Sequence, residues 1–514
     1  MKTYGQRFLM AAGLLLACLG VFASQAHAQG GVPLWTNRYN YLGVSSSWDQ
    51  VYAIAVDSSG NVFVTGRSDT AFATVAYSSA GEPLWTNRGA IGSAMAVDTS
   101  GNVFITGGIS GGGGNDFLTI KYSNSGMPLW TNRYDSGLSP SSIAVDRGGR
   151  VFVTGAAQAA TYSDFATVVY SNSGLPLWTN RYHGPNAFPE SAVAIAADSN
   201  GNVFVTGQSG GTNGDFDYAT VAYSNTGEPL WTNRYNGPGN GDDIPCAIAV
   251  DSNGNVFVTG ESVGAQFSDY ATIKYSGAGV PLWTNRYSNG ATGAARAHTI
   301  SVDGSGNVFV TGQSYTGGNG ADYATVAYSN AGVPLWTNWY NGGNGGIANA
   351  LAVDSAGNVF VTGTSAGAAS GSSGYATVAY SHAGVPLWTN LYIGPEYAEE
   401  AVAIAVDGSG NVIVAGTSAG TNGSVFYYDT DYATIKYSSS LPPPVSLMID
   451  SDGSGGYFIW FTGIPGSTYR LQRATDLAGP WLTSTSLTAP ASGLVEFHDL
   501  FPPSSRSFYR TVQP

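Results

Sequence analysis

The sequence is poor in the residues that usually carry chemistry. Its 514 residues include two cysteines and five histidines, and Asp, Glu, Lys and Arg together make up only 10%. Cys18 falls in an N-terminal apolar segment, so Cys246 stands alone and no intrachain disulfide is expected. It sits in an apolar setting before a strand and reads as a small buried hydrophobe. His183, His298, His382 and His498 are too scattered for a metal pair, and no His-Glu-x-x-His string occurs. His382 replaces a turn Asn of the repeat described below, and His298 with Arg296 falls in a variable loop. No catalytic residue is assigned.

Long apolar runs are also missing, apart from Phe8 to Ala23. That run follows Lys2 and Arg7 and precedes Ala26-His27-Ala28, the pattern of a secretory signal cleaved near Ala28. Leu15-Leu16-Ala17-Cys18 has the outline of a lipoprotein box, but the apolar run continues past the cysteine. The expected location is therefore secreted or cell-surface. No later stretch is long enough to span a bilayer, so membrane insertion is not expected.

Basic residues are scarce. Without residues 1–28 the chain has 17 Lys and Arg against 33 Asp and Glu, a net charge of −16. Nucleic acids and anionic lipids both require basic surface and are excluded as partners. Protein and glycan partners remain, and a monomer is expected.

Glycine is plentiful, at 71 residues, as many short strands and tight turns require. Three blocks recur in fixed order, eight times each. The first is AIAVDSSGNVFVTG (53–66), the second FATVAYSS (72–79), and the third PLWTN, first seen at 33–37. Asn61 and its counterparts Asn102, Arg150, Asn202, Asn255, Asn307, Asn358 and Asn411 lie 41 to 53 residues apart. Each unit reads as four strands, with Asp-x-x-Gly and Ser-Asn-x-Gly turns between the first and second and between the third and fourth. Four strands in that length is the size of a propeller blade.

The phase of the repeat is informative. The chain opens on a lone PLWTNRY (33–39), and its last YATIKYS (432–438) has no PLWTN after it. The fourth strand of the last blade therefore comes from the N-terminal side, which closes a ring and removes the open edge. The expected fold is all-β: an eight-bladed β-propeller of four-stranded blades closed by the N-terminal strand, followed by a small β-sandwich. The boundaries are 1–28 for the signal, 29–439 for the propeller, 440–445 for a proline-rich linker and 446–514 for the sandwich. An open solenoid would leave the lone first strand unexplained.

The string AVDSSGNVFVTG…YATVAYSSAGEPLWTNRY resembles the SBBP β-propeller repeat family of bacterial secreted and surface proteins, over about residues 29–439. The family name implies seven blades, whereas eight are counted here. The resemblance implies a fold and an extracellular location more than an activity. Gly-x-Pro-Leu-Trp is also similar to the docking element of quinoprotein propellers. Those enzymes commonly carry a vicinal disulfide, which a lone Cys246 excludes. After the linker, Gly-Ser-Thr-Tyr-Arg-Leu-Gln and a closing Phe-Tyr-Arg resemble a C-terminal module of many bacterial secreted proteins, for which attachment, export and glycan binding are all open roles.

Trp35, Trp85, Trp130, Trp178, Trp231, Trp283, Trp336 and Trp388 share one repeat position. An inter-blade wedge needs one copy per joint, whereas a sugar-stacking platform does not, so a structural role is expected. Function is expected on the opposite face, where the loops vary: 41–52, 183–191, 236–245, 288–298, 393–400 and 418–431. The binding candidates there are Trp48, Asp49, Asp242, Asp243, Arg296, His298, Glu396, Glu399, Glu400, Tyr427 and Tyr428. Asp116, Asp164, Asp217, Asp269, Asp322 and Asp431 precede the third strand of six blades, with Ala71 and Gly374 at that position in the other two. They are the candidates for calcium, against a local turn role. Otherwise no cofactor is expected. Asp450-Ser-Asp-Gly-Ser-Gly-Gly456 starts like a calcium loop but lacks the third acid and the distal Glu.

The function expected is that of a non-catalytic binding scaffold for protein or glycan partners. The alternatives are a structural envelope or matrix protein, or a carbohydrate-active enzyme using a carboxylate pair such as Asp242 with Glu399.

Overall fold

The computed structural model describes residues 31–40, 48–438 and 447–512, apart from segments at 90–91, 112–113, 187, 212–213, 265, 291–292, 316–319, 343–344, 367–372, 395–398, 421–429, 453–454, 463–467, 477–478, 489–493 and 501–506. The expected signal (1–28) and the expected proline-rich linker (440–445) fall outside the described residues.

Every named element is a β-strand. Eight four-stranded antiparallel sheets form the blades, seven of them simple meanders. Blades 1 to 7 span residues 49–89, 94–134, 140–182, 191–235, 243–287, 295–340 and 346–392. Blade 8 combines Glu400–Val406, Val412–Ala419 and Thr430–Tyr437 with Pro33–Tyr39 as its outer strand. In that pairing Thr36 faces Ile435 and Tyr39 faces Tyr432. The innermost strands touch in cyclic order, and Glu400–Val406 packs on Asp49–Val56, so the ring is closed.

The core lies between blades. Phe309, Tyr323 and Ala327 of blade 6 join Ala348, Val359 and Val378 of blade 7 in one cluster. Ile413, Ala415 and Tyr432 of blade 8 join Val51, Val62 and Val75 of blade 1 in another. The alternating strand pattern accounts for this, because each sheet needs an apolar face toward both neighbours.

Two β-bulges recur, and neither was legible in the repeat. One falls at the Leu of PLWTN. Tyr77 pairs with Pro83 and Ala76 with Trp85, so Leu84 is the extra residue. The bulge turns Leu84 out, 47% exposed, and re-aims the indole. The other falls in the first strand. Val51 pairs with Gly66 and Ala53 with Thr65, which leaves Tyr52 unpaired. Gly66 is required there, because a Cβ on it would lie 2.8 Å from the Val51 Cα.

After the linker, two three-stranded sheets follow. One holds Met448–Ser451, Tyr457–Thr462 and Leu494–Asp499, and the other holds Leu482–Thr488, Thr468–Ala474 and Phe508–Val512. Phe461, Tyr469 and Val495 form the core between them, and Arg473 bridges to Asp499 at 2.8 Å. In the glycine-rich turn Asp452 pairs with His498 Nε2 at 2.9 Å.

Candidate functional site

Three tiers of side chains join the blades, and they determine which residues remain for function. The tryptophans form the outer tier. Trp231 lies between Phe204 of its own blade and Tyr275 of the next, with ring centroids 5.9 and 5.7 Å away. Its Nε1–H donates to the Gly277 carbonyl at 3.0 Å. Two residues on, Asn233 donates to the carbonyl of Gly279 at 2.7 Å. All eight joints repeat the Asn-to-Gly bond, from Asn37 to Asn390. Three joints add a lysine that the sequence reading passed over. Lys121, Lys274 and Lys436 stand where other blades have Ala or Val, and each donates to the same next-blade carbonyl as the indole. Their signal was present in the sequence as the KYS variant of the second block.

The second tier uses the weak calcium candidates, for which a local turn or strand-start hydrogen bond is the favoured reading. Asp116, Asp217, Asp269 and Asp431 are bound by Arg133, Arg234, Arg286 and Arg38 of the outer strand in the same blade. Asp164 pairs with His183 at 2.8 Å and lies 3.9 Å from Arg181. A guanidinium held at each carboxylate occupies the position a cation would take. Asp322 is buried in blade 6, whose outer strand carries Trp339 in place of Arg. Trp339 still donates to Tyr287 of the previous blade at 2.8 Å, as Arg286 does to Tyr235 at 2.9 Å. Among the described residues no group of three or more His, Cys, Asp or Glu could hold a metal ion.

Three binding candidates also belong to this tier. Asp49, Asp243 and Glu399 are fully buried rather than displayed on loops. With Glu190, which the sequence reading missed, they occupy one position ahead of the first-strand bulge in blades 1, 4, 5 and 8. Asp243 accepts from Gly237 N at 2.5 Å. Glu399 accepts from Ala419 N at 3.3 Å. Burial raises the Glu399 carboxyl to about 7, against the pull of Ser418, the Ala419 amide and Arg38. Asp242 directly precedes the first strand of blade 5 and Glu399 that of blade 8.

The third tier lines the inner strands. Cys246 and His298 are bulge residues within Asp243–Val250 and Ala295–Val302, not loop or pre-strand positions. Cys246 Sγ–H donates to the Ala297 carbonyl of the next blade at 3.2 Å, and burial pushes its thiol up to about 12. His298 Nδ1–H donates to Ala348 O at 2.9 Å, and burial lowers its basicity. Asn349 donates to Ala401 O at 2.8 Å. Gly-x-Ser-x-Gly strings at 108–112, 207–211, 260–264, 363–367 and 416–420 spell a hydrolase elbow, and the three at 207–211, 260–264 and 416–420 are tied to arginines. Their serines, however, end antiparallel strands and accept from Arg234, Arg286 and Arg38.

What remains on the variable face is small. Trp48 is 44% exposed. It forms a parallel bridge with Thr430 of blade 8, and its carbonyl accepts from Asp69 N at 2.9 Å. The Arg67 guanidinium stacks 4.6 Å from the indole centroid. Arg296 pairs with Glu261 at 3.1 Å. Asp242 accepts from Phe216 N at 3.1 Å, and Glu400 is exposed. Glu396, Tyr427 and Tyr428 lie outside the described residues.

This architecture is that of a β-propeller. The family model SBBP, a beta-propeller repeat, matches residues 40–72 and 230–267. No curated protein matches the sequence. Among solved structures, Sqt1 from Chaetomium thermophilum has 9% identity and a TM-score of 0.48, covering 79% of this chain and 100% of that one. The Neurospora crassa Pan2 WD40 domain has 8% identity and a TM-score of 0.39, covering 80% and 97%. The β-propeller domain of the trilobed protease from Pyrococcus furiosus has 8% identity and a TM-score of 0.40, covering 68% and 99%.

Proposed function

We propose that this propeller is a secreted or cell-surface, non-catalytic scaffold whose variable face binds a glycan or protein partner. Trp48 carries the reading. It is a large exposed ring, fixed by backbone bonds to both sides of the ring closure, with a guanidinium on it. A pre-positioned aromatic surface binds without the entropy cost of ordering a loop. The conserved geometry of the three joint tiers supports a rigid frame beneath it. The test is binding of the chain from Gln29 onward to a broad glycan array, with and without calcium, beside its Trp48→Ala variant. Saturable binding that the variant loses supports the reading. Binding that Trp48→Ala leaves intact refutes this face as the site.

A further inference from the structure

The three lysine-bearing joints are not equivalent. Lys121 and Lys274 donate to both the carbonyl and the side-chain oxygen of a turn asparagine in the next blade, Asn172 and Asn330. Those asparagine side chains lie over the neighbouring turn. A Cβ on Gly149 would be 2.7 Å from Asn172 Cγ, and one on Gly306 would be 2.9 Å from Asn330 Cγ. At the closure between blades 8 and 1, the same turn position is Ser79. Its side chain is too short to cap the ammonium, so Lys436 reaches only the Ser79 carbonyl at 2.9 Å and Asp407 at 2.8 Å. Each of the three ammoniums thus has two partners, and at the closure Asp407 takes the place of the asparagine cap.

A half-open surface depression of about 540 Å³ lies at that joint, on the face opposite the variable loops. Lys436 and Asp407 lie in it, each side chain 4% exposed. Ser59 and Ser409 supply further hydroxyl groups, Ser58 donates to the Thr99 carbonyl at 3.4 Å and the Asn411 amide to Asp407 at 2.9 Å, and Leu34, 52% exposed, supplies an apolar edge.

We infer that this closure depression is a binding site for a neutral sugar. Its volume is in the range of small-ligand sites. The ammonium and the carboxylate cancel, so the site favours uncharged hydroxyls over a carboxylate or phosphate, which would meet Asp407. Hydroxyl-rich walls match a pyranose rim, and Leu34 matches its C–H face. The site does not depend on Trp48 and stands or falls separately from the variable-face reading.

The test exploits the chain's own repeats. Titration of the chain from Gln29 with methyl glycosides of glucose, galactose and mannose, followed by ligand-observed NMR and calorimetry, should show saturable binding of at least one at a single site. Ser79→Asn copies the other two joints, so it should keep the melting temperature while weakening binding at least about tenfold. Asn330→Ser should uncap Lys274 and raise the stoichiometry from one site to two. Glucuronate should bind more weakly than the neutral glycosides. No saturable binding of any neutral glycoside would overturn the inference, as would binding that Ser79→Asn does not change. Loss in Trp48→Ala alone would assign the sugar to the opposite face and overturn this site.

Discussion

Gly31 lies under the indole of Trp388. A Cβ on it would sit 2.7 Å from the ring carbon Cε3, and its φ is +77°. The residue belongs to no strand, yet it plays for blade 8 the part that the turn glycines play for the other seven, with Asn390 donating to its carbonyl. The ring is therefore latched twice, by the ladder of Pro33–Tyr39 against Thr430–Tyr437 and by this stacked glycine. Gly31→Ala should cost about 1–3 kcal/mol, from left-handed strain plus displacement of the indole. Gly290→Ala, at φ +71° with nothing within 4 Å of the added atom, should cost only the strain, about 1 kcal/mol. Urea unfolding of both variants reads the difference, and equal losses would show that the stacking adds nothing.

Trp231 makes two ring contacts and one hydrogen bond across its joint. Trp231→Ala should lose about 3–5 kcal/mol, the range for truncating a packed large aromatic. An unchanged melting curve would return the tryptophans to the status of surface platforms.

Much of this fold was legible because the repeat spelled it eight times. Blade number, strand order and closure all followed from the lone PLWTNRY at 33–39. The candidate site was less legible. Asp49, Asp243 and Glu399 looked like loop acids because the sequence does not mark where the buried first strands begin. Asp116 and its counterparts looked like a carboxylate ring because their partners lie 17 residues away in most blades, on the adjacent outer strand. One signal was available. Blade 7 lacks both the acid and the arginine, with Gly374 and Leu391 in their places.

That paired loss in blade 7 yields a prediction. Arg286 and Asp269 are 21% and 14% exposed and 2.8 Å apart. Arg286→Leu alone leaves the partly buried Asp269 without its cation and should cost about 1–3 kcal/mol. The double variant Arg286→Leu with Asp269→Gly copies blade 7 and should cost less than the sum of the single variants. A double-mutant cycle on unfolding free energy measures the coupling. Strict additivity would mean that the pair is not a unit.

Glu399 supplies a pH dependence whose direction is fixed. Burial raises its folded carboxyl from 4.5 to about 7, with Asp431 adding to the rise and Arg38, Ser418 and the Ala419 amide opposing it. Between those values the folded chain holds a proton that the unfolded chain has released. Stability therefore falls as pH climbs from about 4.5 to 7 and levels off above. Glu399→Gln keeps the shape and cannot ionise. It should stand close to the parent at pH 5 and be more stable at pH 8, by on the order of 1–3 kcal/mol. Other buried acids, such as Glu190 and Asp243, shift in the same direction, so the quantity to read is the difference between variant and parent at each pH. If that difference is the same at pH 5 and pH 8, Glu399 does not titrate in this window and its carboxylate is ionised in the joint throughout.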